Sequence, residues 1–343
     1  MSNFANQKPV ALFPGQGSQH VGMAKDLVQN FTLAAHVFEE ASDATKIDLK
    51  KLCFDGPESD LTLTENTQPA LLTASVAAFR VAQKETGFAP SAVAGHSLGE
   101  YSALVAAGAL PLATAAAWVR ERGKAMQLAV PAGMGTMAAI LGLEDGAISA
   151  LCEKATAAAK ARRAAGENAD VTVEAVVEPA NFNAPGQIVI AGSRDAIAEA
   201  VSLIKAGEFP GGKAIPLSVS APFHCRLMAK ARDRMAELFS QATAADKARL
   251  PACPYVPNRT ARLTQEPGLV FELLVEQVDH PVLWKQSMTH LFEQGHTLTV
   301  EFGPGKVLSG LNKRIAQQAG AQVTSLNVSD MAMVKALEAA MKA

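Results

Sequence analysis

Five residues, Gly95-His96-Ser97-Leu98-Gly99, stand between a strand-like run ending at Ala94 and an apolar, helix-like run from Ser102 to Val119. A chain that passes from strand to helix through a G-x-S-x-G turn bends its backbone sharply at the serine, and glycines on both sides leave room for the bend. The order of strand, elbow and helix points to an α/β fold with a parallel sheet. It also presents the Ser97 hydroxyl at the end of a strand, where nucleophiles are exposed to substrate. The pattern recurs by chance, so the rest of the chain must decide whether Ser97 has chemistry to perform.

Upstream, 9–13 reads as a short strand running into the loop Pro14-Gly15-Gln16-Gly17, with helices expected over 31–40 and 68–85. The run 103–119 approaches the length of a membrane span, but Gly108, Pro111 and its alanine content fit a core helix broken near Pro111. From 135 to 217 the order changes: strand 136–141, helix 145–162, strands 171–177 and 187–191, helix 195–206, strand 214–219. This βαββαβ succession folds into a four-stranded antiparallel sheet with two helices on one face. Beyond it come helices over 226–242, 268–278 and 284–294, a turn-rich 251–258, a strand at 298–302, and a last helix and strand toward Leu326. The expected fold class is α/β: an α/β-hydrolase-like large domain from 1–134 and 218–343, with a ferredoxin-like small domain, 135–217, inserted in it. The alanine-rich stretch 154–170 reads as a helix extension and an exposed loop.

Composition narrows the partners. At 49% apolar and 19% charged residues with a net charge of −2, the chain has no basic footprint for nucleic acid and no polybasic segment for a membrane surface. The polar start, Met1 to Lys8, lacks the layout of a secretory signal, so a cytoplasmic location is expected. Cys53, Cys152, Cys225 and Cys253 are scattered without a C-x-x-C pair, so buried thiols are expected, with no disulfide framework and no metal.

A serine nucleophile needs a base. Among seven histidines, His224 in Ser220-Ala221-Pro222-Phe223-His224 follows a strand and precedes a helix, and Ser before His is the chain order of α/β-hydrolase-type sites. A helix N-terminal histidine with a local hydrogen bond fits the same residues. His96 should point away from Ser97, while His36, His280, His290 and His296 sit in polar helical contexts and are expected at the surface. The backbone N–H of Leu98 is an oxyanion donor by geometry, and the Gly15-Gln16-Gly17 loop is the natural source of a second. Nucleotide binding by that loop is disfavoured because His20 occupies the third glycine position of G-x-G-x-x-G. Gly305-Lys306 fails as a phosphate loop because Val300 stands in the first glycine position. Arg122, in a cluster of charged residues, fits either a solvated helix end or a bidentate grip on a substrate carboxylate.

Taken in order, Phe13-Pro14-Gly15-Gln16-Gly17-Ser18-Gln19, Thr67-Gln68-Pro69-Ala70, Gly95 to Glu100, Arg122-Gly123, Asn181-Phe182-Asn183 with Gly186-Gln187, Ala221 to His224, and Glu301 to Gly305 resemble one family. They are similar to the malonyl-CoA:acyl-carrier-protein transacylases of fatty acid synthesis, and the match runs across nearly the whole chain. The resemblance implies an acyltransferase in which Ser97 is acylated and His224 is its base. Backbone N–H groups of Gln16 and Leu98 would form the oxyanion hole, and Arg122 would bind the malonyl carboxylate. It also implies that a main-chain carbonyl, at the place of Gln277, orients the histidine, and that Phe223 belongs with members taking malonyl rather than a branched unit. Asn181 and Asn183 match a motif near the family's site and equally fit turn residues of the insert. The implied partners are malonyl-CoA and acyl carrier protein, with no cofactor, and a monomer is expected.

Overall fold

The computed structural model describes residues 7–168 and 170–342, so the sequence readings at 1–6 and at residue 169 within the 154–170 stretch lie outside the described residues. Two sheets organise the rest. The first has the order β7-β2-β1-β8-β9, built from β1 Pro9–Phe13, β2 Ala92–Gly95, β7 Tyr255–Val256, β8 Leu298–Phe302 and β9 Thr324–Val328. All of its pairings are parallel. Its central strands, PVALF and LTVEF, are near-continuous apolar runs because helices cover both faces. Thr299 and Glu301 are the polar residues of β8, and Glu301 is the charged one. It is buried and accepts hydrogen bonds from the N–H groups of Leu308 and Ser309 at 3.1 and 2.8 Å, closing the first turn of the helix Val307–Ala319.

The second sheet, of order β4-β5-β3-β6, consists of β3 Gly135–Leu141, β4 Val177–Ala184, β5 Gln187–Ser193 and β6 Lys213–Pro216, all paired antiparallel. With the helices Asp145–Ala164 and Arg194–Lys205 it gives the βαββαβ arrangement read from the sequence. Both faces of this sheet are covered. Ala138, Ile140, Ile188 and Ile190 pack with those two helices in one apolar cluster, whereas Met137, Val189 and Ala191 join the large cluster around the parallel sheet. The alternation of side chains along each strand divides them between two cores.

Four expectations need correction. The strand expected at 171–177 begins at Val177; Val171 is buried and Val173 partly buried, but both lie in irregular chain. Asn181 and Asn183 therefore lie within β4 and are not turn residues. Arg122 lies inside the helix Leu112–Leu128 and is 1% exposed, so it is no solvated helix end. His296 is buried rather than on the surface, 3.1 Å from Ser91 Oγ. The break at Pro111 is present, between helices Leu98–Ala106 and Leu112–Leu128. Three helices, Leu49–Asp55, Glu58–Leu61 and Met331–Lys342, are present where the sequence led to no expectation of one. Among the described residues, no helix is long and apolar enough to cross a membrane, and no group of His, Cys, Asp and Glu could hold a metal.

Candidate active site

The elbow forms because its glycines are sterically compelled. A Cβ on Gly95 would lie 1.9 Å from the Gly99 carbonyl oxygen, and one on Gly99 would lie 2.1 Å from that of Phe13. Between them Ser97 adopts φ 53° and ψ −110°, a strained backbone for an L-residue, at the N-cap of the helix Leu98–Ala106. His224 is also left-handed, with φ 60°. Such strain persists only where surrounding contacts over-determine it.

Those contacts form one buried polar network. Ser97 Oγ lies 2.8 Å from His224 Nε2, and His224 Nδ1 donates to the Gln277 main-chain carbonyl at 2.9 Å. A carbonyl only accepts, so Nδ1 carries the proton and Nε2 is free to accept one from the serine. Among the described residues, no carboxylate hydrogen-bonds to this histidine. Burial, and after it the charge of Arg122, push the imidazole down to about 3, which keeps it neutral. Arg122 donates through Nη1 to Gln68 Oε1 at 2.9 Å, and through Nη2 to Gln277 Oε1 at 2.8 Å and Ser97 Oγ at 3.1 Å. The guanidinium also sits over the Tyr101 ring, 5.7 Å from its centroid.

The carboxylate that does belong to the network is Glu100, which is 1% exposed. Its Oε2 accepts from Gln277 Nε2 at 2.7 Å and from the Asn258 N–H at 2.9 Å, and burial raises its pKa to about 7. Gln277 is thus an adaptor: its NH2 donates to a carboxyl oxygen of Glu100, and its oxygen accepts from Arg122, a donor-only group. Glu100 was named in sequence only as part of a motif, and Asn258, Gln68 and Tyr101 were assigned no role. Their functions arise from contacts with residues far away in the chain.

A cavity of about 200 Å³ opens over Ser97. Gln16, Leu98, Arg122 and His224 line it from the parallel-sheet body, while Asn181, Met137 and Val189 line it from the antiparallel sheet. Leu217 and Val219, just past β6, and Phe223 add apolar wall. The backbone N–H groups of Gln16 and Leu98 have no acceptor among the hydrogen bonds of the described residues, which leaves both able to donate into the cavity. His96 points away from Ser97, to Asn183 Oδ1 at 2.8 Å, and packs against Trp284, yet its ring still borders the cavity. All eight residues singled out from sequence, Gln16, Ser97, Leu98, Arg122, Asn181, Phe223, His224 and Gln277, meet at this one place. Chemically, it holds a hydroxyl with a neutral base, two free N–H donors, and a cation that touches the hydroxyl and is in contact with no carboxylate.

Residues 10–338 match the family model described as acyl transferase domain. The malonyl CoA-acyl carrier protein transacylase of Escherichia coli strain K12 is 44% identical over 328 residues, covering 95% of this chain and 98% of its own. That of Bacillus subtilis strain 168 is 42% identical over 304 residues, 89% of each. The chain belongs to the malonyl CoA-acyl carrier protein transacylase family. Among solved members of that fold, the acyl-carrier-protein S-malonyltransferase of Burkholderia pseudomallei superposes with a TM-score of 0.86 at 41% identity, covering 97% of this chain and 99% of the other. A malonyl-transacylase solved in complex with a type II PKS acyl-carrier protein gives a TM-score of 0.85 at 40% identity, covering 98% and 99%. Membership in this family accounts for the pairing of a parallel-sheet body with a small antiparallel sheet.

Proposed function

We propose that this chain transfers the malonyl group of malonyl-CoA to the phosphopantetheine thiol of acyl carrier protein, as in fatty acid biosynthesis, through a malonyl-serine at Ser97. The observation that supports it most is the double contact on Ser97 Oγ, by His224 Nε2 at 2.8 Å and by Arg122 Nη2 at 3.1 Å. A malonyl thioester carries its carboxylate two bonds beyond the reacting carbonyl carbon. A group held by Arg122 through that carboxylate therefore presents the carbonyl carbon at Oγ.

In the first half-reaction Oγ attacks the thioester carbonyl as His224 Nε2 takes its proton. The N–H groups of Gln16 and Leu98 hold the developing oxyanion, and the proton passes to the leaving CoA thiolate as the C–S bond breaks. In the second, the carrier thiol gives its proton to Nε2 and attacks the ester, and Ser97 leaves with that proton. The Gln277 carbonyl keeps the imidazole in the required tautomer. Asn181 and Phe223 shape the acyl end of the cavity. We assign residues 135–217 to an inserted unit within a body of 1–134 and 218–343, and take the chain to act as a cytoplasmic monomer.

The test is intact mass after mixing with malonyl-CoA. One malonyl adduct on wild type, none on Ser97→Ala, and release only on adding carrier protein is the expected result. Rapid loss of the adduct to water without carrier would favour a hydrolase instead, and an undiminished adduct on Ser97→Ala would remove the serine from the reaction.

A further inference from the structure

We propose that Asn258 is a positioning residue for the nucleophile, holding Ser97 in its strained conformation by standing in for a strand that has ended. The strand β7 pairs with β2 only as far as Val93 with Tyr255 and Ala94 with Val256. Two residues further on, the Asn258 side chain takes over the role of the missing backbone. Its Oδ1 accepts from the Ser97 N–H at 2.6 Å and its Nδ2 donates to the Gly95 carbonyl at 2.6 Å, the donor and acceptor a neighbouring peptide would offer. The amide thus bridges both sides of the residue where the chain leaves the sheet. Asn258 is itself fixed at both backbone groups: its N–H donates to Glu100 Oε2 at 2.9 Å, and its carbonyl accepts from the Leu283 N–H at 3.0 Å. It is 1% exposed, so both bonds are shielded from bulk water.

The consequence is chemical as well as structural. With φ 53° and ψ −110°, Ser97 directs the following N–H, that of Leu98, toward the cavity and its own Oγ toward His224. Removing the amide leaves the Ser97 N–H and Gly95 carbonyl unpaired, and the elbow can relax toward a less strained backbone. Asn258 is not itself a partner of Arg122; the two are linked through Ser97 and through Gln277, whose Nε2 lies 3.5 Å from Asn258 Oδ1, while the Arg122 bond to Gln68 does not involve it. Asn258 acts on the rate of acylation and not on the choice of acyl group.

The inference rests on acylation of Ser97, and the experiment separates the two. Single-turnover acylation by malonyl-CoA and by acetyl-CoA is followed by intact mass, reading rate and final adduct amplitude separately. For Asn258→Ala we expect full amplitude, a rate about a hundredfold lower for both donors, and an unchanged malonyl-to-acetyl ratio. A wild-type rate, whether at full or reduced amplitude, overturns the proposal, because loss of folded molecules lowers amplitude alone. Should Asn258→Ala not fold, Asn258→Asp keeps the acceptor for Ser97 and loses the donor to Gly95; its rate is expected to fall about tenfold, and a wild-type rate overturns the proposal. No adduct on wild type would count against the acyl-transfer reading itself.

Discussion

The two sheets meet at one cavity but bring different things to it. From the parallel sheet come side chains held by hydrogen bonds, in strained backbone, in dense burial: Ser97, His224, Arg122, Gln277, Glu100 and Asn258 form an unbroken network. From the antiparallel sheet comes mostly wall, with Met137 and Val189 as apolar surface and Asn181 beside them. A strained and densely bonded network is intolerant of change, because each lost partner strands a buried polar group. An apolar wall changes by volume alone. The comparison therefore separates side chains fixed by shared hydrogen bonds from side chains that act through their volume.

The largest effect expected on the first side is from Ser97→Ala, with malonyl transfer reduced by about 10⁴-fold or more in a carrier-loading assay. Arg122→Ala comes next. Its kcat/KM for malonyl-CoA is expected to fall about a hundredfold while that for acetyl-CoA is kept or rises, since a desolvated cation no longer selects for a carboxylate. Equal losses for both donors would place Arg122 in the general scaffold. On the wall side, Val189→Ala is expected to change malonyl kcat/KM by less than about tenfold, with a gain for bulkier acyl-CoAs. A loss as large as that of Arg122→Ala would erase the distinction between the two regions. Smallest of all is the response to pH. With His224 pushed down to about 3, its neutral, proton-accepting form persists on acidification, and single-turnover acylation by Glu100→Gln, which lacks the carboxyl that burial raises to about 7, should vary less than about threefold from roughly pH 8 to roughly pH 5. An acid limb centred near 6.5 that persists in that variant would mean an imidazole exposed to water. The same shift has a definite sign for stability. The unfolded chain takes up the proton that the folded chain refuses, so this histidine lowers stability as pH falls below about 6.5 toward 3.

Much of this could be read from residues alone. Glycine spacing located the elbow because the steric demand is local, and the contacts of Gly95 and Gly99 show that demand directly. The βαββαβ order was legible from the alternation of apolar residues. One strand was misplaced for a physical reason: Val171-Thr172-Val173 has strand-like alternation but packs as irregular chain, whereas β4 contains Pro179, Asn181 and Asn183, all poor strand formers. At the sheet edge, with register shifts between Pro179 and Asn181 and between Phe182 and Ala184, those residues are tolerated. Arg122 could be assigned through the family motif, but its burial could not, since Gln68 and Gln277 approach it from 54 and 155 residues away. Asn258, 161 residues from Ser97, gives no local signal at all.

The division of β3 and β5 between two cores sets a limit on how this molecule could be recombined. Because Met137, Val189 and Ala191 face the core around the parallel sheet while Ile140, Ile188 and Ile190 face the helices Asp145–Ala164 and Arg194–Lys205, the antiparallel sheet and those helices taken alone would present an uncovered apolar face to water. A chimera made by transplanting the small sheet from a relative must bring a matching inner face with it. Exchanging that face alone, and leaving the outward one in place, is the more conservative graft for altering acyl preference.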